Sequence, residues 1–334
     1  MNNTVQIEVT TKCNLKCLNC FAHANSSELG DMSQYLAYEI LEEAAELGFR
    51  QLSITGGEPF LWPYIIDLLD LAEKLKFTYI LINSNGHLLS NELCKKLEQY
   101  GEKLEISCSL NGFIDEHERT RGSGSFNSTI LGIETALLHN LNIHIYSVID
   151  RKNLKTLPYF TDFILKKYPG VRNLVFIQLR GINDDYYKVE DLKLEPEEFI
   201  EMVKMVAYLS LAGKPVQILE NSLSTVVANE FGFRWLPTSP DITISGKIVV
   251  LQNGVITVNH SSMKSLSTYQ HNSLKSALSS DTYIKYTEEE SKLCLECHFS
   301  DKCQQAGKIR PSSRYHNTGN ESIPFCRKVL ELIK

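Results

Sequence analysis

Apolar positions along the first 180 residues repeat with two alternating periods. Short β-branched runs give way to longer segments whose apolar residues recur every three or four positions. Val5–Thr10, Gln51–Thr55, Tyr79–Asn83, Lys103–Leu110, Asn142–Ile149 and Asn173–Leu179 have the texture of strands. Between them, Tyr35–Leu47 sets Leu36, Ile40, Leu41, Ala44 and Leu47 on one helical face. Pro63–Leu75, Ser90–Tyr100, Ser128–His139 and Leu154–Tyr168 also read as helices. Six strands, each separated by a helix, imply a parallel sheet with helical crossovers. Six units are too few to close an eight-fold barrel of about 250 residues. The expected architecture is therefore α/β, an open, partial (β/α)6 barrel over residues 1–190.

After this the alternation stops. Glu195–Ala212 predicts one more helix, with Pro196 in its first turn, inside a connecting segment over 191–240. Lys247–Leu251 and Val255–Val258 flank Gln252-Asn253-Gly254, and Asn-Gly between two apolar runs signals a hairpin. From Leu293 the chain is rich in cysteine and polar residues. Residues 241–334 thus read as a small metal-stapled module, because such a segment cannot bury enough core alone.

Composition narrows the class. The chain has 334 residues, 43% apolar and 22% charged, as ordinary globular proteins do. A net charge of -6 and a pI near 5.9 argue against a general nucleic-acid backbone binder. No run approaches 18 apolar residues, so no membrane-spanning helix is expected. Met1–Gln6 lacks the basic and apolar regions of a secretory signal, which predicts a cytoplasmic address. The first strand follows at once, so no peptide-recognition module is expected ahead of it.

Nine cysteines alter the picture. An odd number without an export signal is a poor disulfide framework for a reducing compartment. Seven fall into two groups: Cys13, Cys17 and Cys20, then Cys294, Cys297, Cys303 and Cys326. The first group lies directly after the first strand, on the first βα loop. Three thiolates there can hold three corners of an iron–sulfur cube and leave one iron open, or, with His23, a zinc ion. On the next strand end, Thr55-Gly56-Gly57-Glu58-Pro59 occupies the sheet edge where ligands bind in parallel α/β folds. Paired glycines permit close backbone approach, and Glu58 can accept from an ammonium.

Cys-x3-Cys-x2-Cys together with Gly-Gly-Glu-Pro resembles the radical S-adenosylmethionine superfamily, and the resemblance covers the first 180 residues. Phe21, directly after the third cysteine, matches an aromatic often found there. The resemblance implies that the methionyl amine and carboxylate of S-adenosylmethionine chelate the open iron of a [4Fe–4S] cluster. Reductive cleavage then gives a 5′-deoxyadenosyl radical that abstracts hydrogen from an unactivated C–H bond. Asn83-Ser84-Asn85-Gly86 and Ser109-Leu110-Asn111-Gly112 end the third and fourth strands, where the family contacts its cofactor. Asn85, Ser109 and Arg121 are the positions carried over, Arg121 as a carboxylate-binding arginine.

The second group, Cys-x2-Cys-x5-Cys with a distant Cys326, suits either zinc or a second [4Fe–4S] cluster. It resembles the SPASM auxiliary-cluster extension in reduced, Twitch-like form. Gly254 of the hairpin is present, but Asn259 stands where a cysteine is expected, and Gln304–Gly307 supply none. One auxiliary cluster is thus implied, with all four ligands cysteine.

The leading expectation is a maturase acting on a peptide or protein, with flavodoxin or ferredoxin as electron donor. Crosslinking or oxidation is preferred to epimerisation, because no cysteine lies between residues 109 and 293 to return a hydrogen atom. The competing expectations are a small-molecule radical enzyme acting on a tetrapyrrole or sugar, and a binding protein with two zinc sites. Among the remaining residues, Cys94 reads as core and Cys108 as facing the helices. His117 with Glu116 and Glu118 reads as a solvated loop, and Asp184–Tyr187, after the sixth strand, as either a lining of the substrate mouth or a solvated loop.

Overall fold

A computed structural model describes residues 4–20, 22, 24, 30–179, 189–219, 222–238, 247–258, 265–288, 297–305 and 325–333. Two compact units divide the chain. Met1–Ser109, Arg121–His144 and Ser245–Glu289 form the first; Leu110–Thr120, Ile145–Ile244 and Glu290–Lys334 form the second.

The first unit is a sheet with helices on its apolar face. Strands β1 (Thr4–Glu8), β2 (Gln51–Thr55), β3 (Tyr79–Ser84) and β4 (Leu104–Ser109) pair in parallel in that order. Helices α1 (Gln34–Glu46), α2 (Ile65–Lys74) and α3 (Asn91–Leu97) provide the crossovers. Val5, Ile7, Leu52, Ile54, Ile80, Ile82 and Ile106 are wholly buried and alternate along their strands with polar residues, Leu81 excepted. A parallel strand covered by helices needs one apolar face at least, and these β-branched and leucine side chains supply it.

Helix α4 (Ile114–Arg121) runs over His117, which the sequence pattern places in a solvated loop. Its imidazole is wholly buried, and Nδ1 accepts the Asn111 amide at 3.1 Å. The segment is too polar to declare a helix by periodicity. Its start is held instead by the Glu116 carboxylate, which accepts the Phe113 amide at 2.8 Å. Helix α5 (Ser125–Leu138) begins three residues before the expected start, beyond Gly124.

In the second unit, β5 (Asn142–Ile149, from Ile145 onward) is followed by α6 (Leu157–Lys167), β6 (Asn173–Gln178) and α7 (Pro196–Leu211). A further strand, β7 (Val216–Ile218), pairs in parallel with β6 and has no counterpart in the sequence pattern. At three residues it is too short to show a period. Helix α8 (Ser222–Glu230) contacts α7 and the helix Ser300–Gln305. The helix Phe325–Glu331 packs on α7 with Phe325 edge-on to Phe199 at 5.9 Å.

The expected hairpin forms as β8 (Lys247–Val250) and β9 (Val255–Thr257), antiparallel, with β10 (Ser265–Thr268) added beyond. β8 pairs in parallel with β1, Thr4 opposite Lys247, and so extends the sheet of the first unit. Helices α9 (Ser273–Leu278) and α10 (Asp281–Glu288) follow it.

Candidate active site

Loops leaving β1, β2 and β3 meet at one end of the first unit's sheet. Cys13, Cys17 and Cys20 are half-buried on the β1 loop. Burial pushes the Cys13 thiol up to about 11, and Glu58, Cys17 and Cys20 push the same way. Burial also raises Cys20, against the pull of Arg121. The three thiols and Arg121 are thus within electrostatic reach of one another. Among the described residues no three His, Cys, Asp or Glu side chains stand close enough to cage a single ion. A cube with irons and sulfides at alternate corners is wider, and three thiols on one loop suit it.

Gly56 and Gly57 do make a close backbone approach, and the partner is the cysteine loop's own start. The Gly57 amide donates to Thr10 O at 2.7 Å and the Glu58 amide to Lys12 O at 2.8 Å. A Cβ on Gly56 would meet Thr10 O at 2.5 Å, and one on Gly57 would meet Lys12 O at 2.2 Å. Any larger residue here would push the β1 and β2 loops apart.

Glu58 is wholly buried. Its carboxylate accepts Ser84 Oγ at 2.9 Å, the Asn85 amide at 2.8 Å and the Phe60 amide at 3.2 Å. Burial drives its pKa up to about 7, although these donors and Arg121 favour the charged form. The side chain therefore ties the end of β3 to the Gly-Gly loop. Asn85 in turn reaches the cysteine loop, its Nδ2 donating to Asn14 Oδ1 at 2.7 Å and lying 3.8 Å from Cys13 Sγ. Thr129 Oγ1 on α5 donates to Asn85 O at 3.0 Å.

Arg121 ends α4 and is followed by Gly122, with Nη1 3.9 Å from Cys17 Sγ. Its Nε is buried without a hydrogen-bond partner. A guanidinium with an unmet donor beside three thiols fits an anionic group in that space. Ser109 is half-buried at the end of β4, on the face it shares with Ser107. Cys108, between them, points to the opposite face and is wholly buried, as alternation requires; Cys94 is buried as well. Phe21, His23 and Asp184–Tyr187 lie outside the described residues.

In the second unit, Cys297 precedes the helix Ser300–Gln305, which carries Cys303, and Cys326 lies on the last helix; all three are half-buried. Cys294, Asn259 and Gly307 lie outside the described residues. Asn14 and Thr129 also brace the first site, yet no sequence motif marks their roles; Ser84 lies in the quoted strand-end motif, which does not reveal its bond to Glu58. Their roles arise only where strand ends meet.

Known proteins resemble the chain over this same region. Residues 7–164 match the Radical SAM superfamily. The chain carries a radical SAM domain. Among curated proteins, Fe-coproporphyrin III synthase of Methanosarcina barkeri is 26% identical over 158 residues, 47% of this chain and 39% of that protein. The antilisterial bacteriocin subtilosin biosynthesis protein AlbA of Bacillus subtilis is 30% identical over 149 residues, 44% of this chain and 33% of that protein. The chain thus spans well under half the length of both. Among solved structures, native anSMEcpe with bound AdoMet and Cp18Cys peptide gives a TM-score of 0.77 at 17% identity, covering 99% of this chain and 95% of that one. That likeness shows the fold: the partial barrel of radical SAM enzymes, as expected. The domain implies S-adenosylmethionine and a [4Fe–4S] cluster. The orphaned Arg121 donor and the three clustered thiols fit that pair. No helix among the described residues is long and apolar enough to cross a membrane.

Proposed function

We propose that this chain is a radical S-adenosylmethionine maturase that oxidises or crosslinks a residue of a peptide or protein substrate. Cys13, Cys17 and Cys20 hold the catalytic cluster, the backbone of Gly56 and Gly57 with Asn85, Ser109, Arg121 and Phe21 receives the cofactor, and Glu58 locks the loops that do so. Bound, cluster and cofactor supply reductive cleavage of a sulfonium and abstraction of a hydrogen atom from an unactivated C–H bond. The protein's own part is to orient the reactants and exclude water. Cys294, Cys297, Cys303 and Cys326 hold one auxiliary cluster, with no open iron, suited to electron transfer; flavodoxin or ferredoxin suits the donor's role.

The observation that carries the reading is the junction of three thiols, the Gly-Gly-Glu loop and an unmet Arg121 donor at one end of the sheet. The sheet's polar face supports a peptide over a carboxylate-rich small molecule. On β1 to β4 it carries Gln6, Glu8, Ser53, Thr55, Leu81, Asn83, Glu105 and Ser107, with Lys247 of β8 beside Thr4 at its edge. Asn83 bridges Ser107 at 2.7 Å, and Tyr79 donates to Glu105 at 2.6 Å. Such a surface offers hydrogen bonds to amides and hydroxyls, and the Glu105 carboxylate repels the propionates of a tetrapyrrole.

Anaerobic reconstitution tests this. About eight iron and eight sulfide per chain are expected, with dithionite-driven release of 5′-deoxyadenosine. Cys17→Ala should abolish that release, whereas Cys297→Ala should halve the iron and leave the release intact. Colourless protein holding about two zinc ions, the composition of paired structural sites, would overturn the reading.

A further inference from the structure

The cysteine loop leaves β1 and returns at Gly30–Met32, and the return is stitched to the strand it left. The Met32 amide donates to Val9 O at 2.8 Å, and the Thr11 amide to Gly30 O at 2.9 Å. The Gly30 amide donates to Thr11 Oγ1 at 2.8 Å, and Thr10 Oγ1 to Asp31 Oδ1 at 2.6 Å. Lys12 Nζ meets Asp31 Oδ2 at 2.7 Å. Buried Trp62 donates its ring N–H to Met32 O at 2.8 Å. These contacts form a neck that fixes both ends of the loop carrying Cys13, Cys17 and Cys20.

One contributor comes from far along the chain. Gln252, on the turn between β8 and β9, donates its Nε2 to Asp31 O at 3.1 Å and its backbone amide to Glu8 Oε1 at 3.2 Å. Its side-chain amide lies against Gly30, where a Cβ would stand 2.8 Å from Nε2. Parallel pairing of β8 with β1 puts the turn beside the neck. We propose that Gln252 is a positioning residue for the cysteine loop, closing the neck so that the three thiols keep the spacing a cluster needs. The inference rests on the assignment of Cys13, Cys17 and Cys20 as cluster ligands. A loop whose ends are held gives up little entropy when it binds; a loop with a loosened neck must first close.

The test has an arm that needs no cluster. In the full-length apo-protein, amide hydrogen exchange at Thr11, Gly30 and Met32 is compared with exchange at Ile82 in β3. Gln252→Ala should speed the neck amides about fivefold, the weight of one net hydrogen bond, and leave Ile82 unchanged. In the reconstituted protein, release of the catalytic cluster's iron to a chelator should accelerate by a similar factor. The electron paramagnetic resonance shift on adding S-adenosylmethionine should broaden. Gly30→Ala, which leaves Gln252 intact and crowds its amide, should do the same and covers the case in which Gln252→Ala fails to fold. Unchanged neck exchange would refute the idea, as would faster exchange with unchanged iron release. If the wild-type chain takes up no iron, the cluster assignment fails, and the neck exchange reports on that separately.

Discussion

A buried carboxylate on a polar sheet face sets up the clearest single-residue prediction. Glu8 is 5% exposed, and burial raises its pKa to about 7 against the Gln252 amide that favours the charged form. The folded chain therefore holds this proton more tightly than the unfolded chain, whose carboxyl titrates at its ordinary value of 4.5. Its contribution to stability is fully present below the unfolded pKa. It is lost as pH rises from there through about 7. Glu8→Gln keeps an acceptor for Gln252 and removes the charge. Denaturant unfolding of the apo-protein should show the variant more stable by about 3 kcal/mol at pH 8 and nearly equal at about pH 4. Equal stability at both values would show that Glu8 is solvated or paired when ionised. Glu58 illustrates a different residue-scale lesson. An ammonium acceptor is the natural expectation for it, and its carboxylate also accepts from three donors of its own chain, a second role that its motif does not reveal.

Among elements, α1 depends on a local signal that its sequence states openly. Ser33 precedes it in extended conformation, and its Oγ accepts the Leu36 amide at 3.2 Å. Ala37, Ile40, Leu41 and Ala44 are wholly buried on its inner face, and the helix contacts β1. Ser33→Ala should cost about 1 kcal/mol of apo-protein stability, read as a lower denaturant midpoint with unchanged slope. Because the cap lies next to the neck at Met32, a loss much above about 2 kcal/mol would mean that the cap also holds the loop return. Helix α4 is the opposite case. Its residues have no amphipathic stripe, and the buried His117 and the Glu116 carboxylate hold it through partners the periodicity does not reveal.

At the scale of the whole chain, thiol placement bears on the reaction outcome. Cys108 is wholly buried on the face away from Ser107 and Ser109, and burial raises its pKa far above the ordinary thiol range. No cysteine follows before residue 294. A thiol able to return a hydrogen atom to the substrate is therefore missing from the described polar face of the first unit, which favours net oxidation. With a peptide substrate in deuterated water, the product should lose two mass units and carry no deuterium at Cα. Deuterium at Cα without that loss would establish epimerisation instead.

Alternating periods, the first cysteine group and the Gly-Gly-Glu-Pro strand end were enough to point to the parallel α/β architecture and the radical SAM domain. These features are local: each depends on side-chain spacing within a strand, a helix or one loop. The pairing of β8 with β1, the strand β7 and the helix around His117 required tertiary contacts, because short or polar segments are decided by neighbours far away in the chain. The same is true of the loop neck. Thr10, Asp31 and Gln252 are ordinary polar residues separated by up to 242 positions, and only folding of the sheet brings them to the base of the cysteine loop.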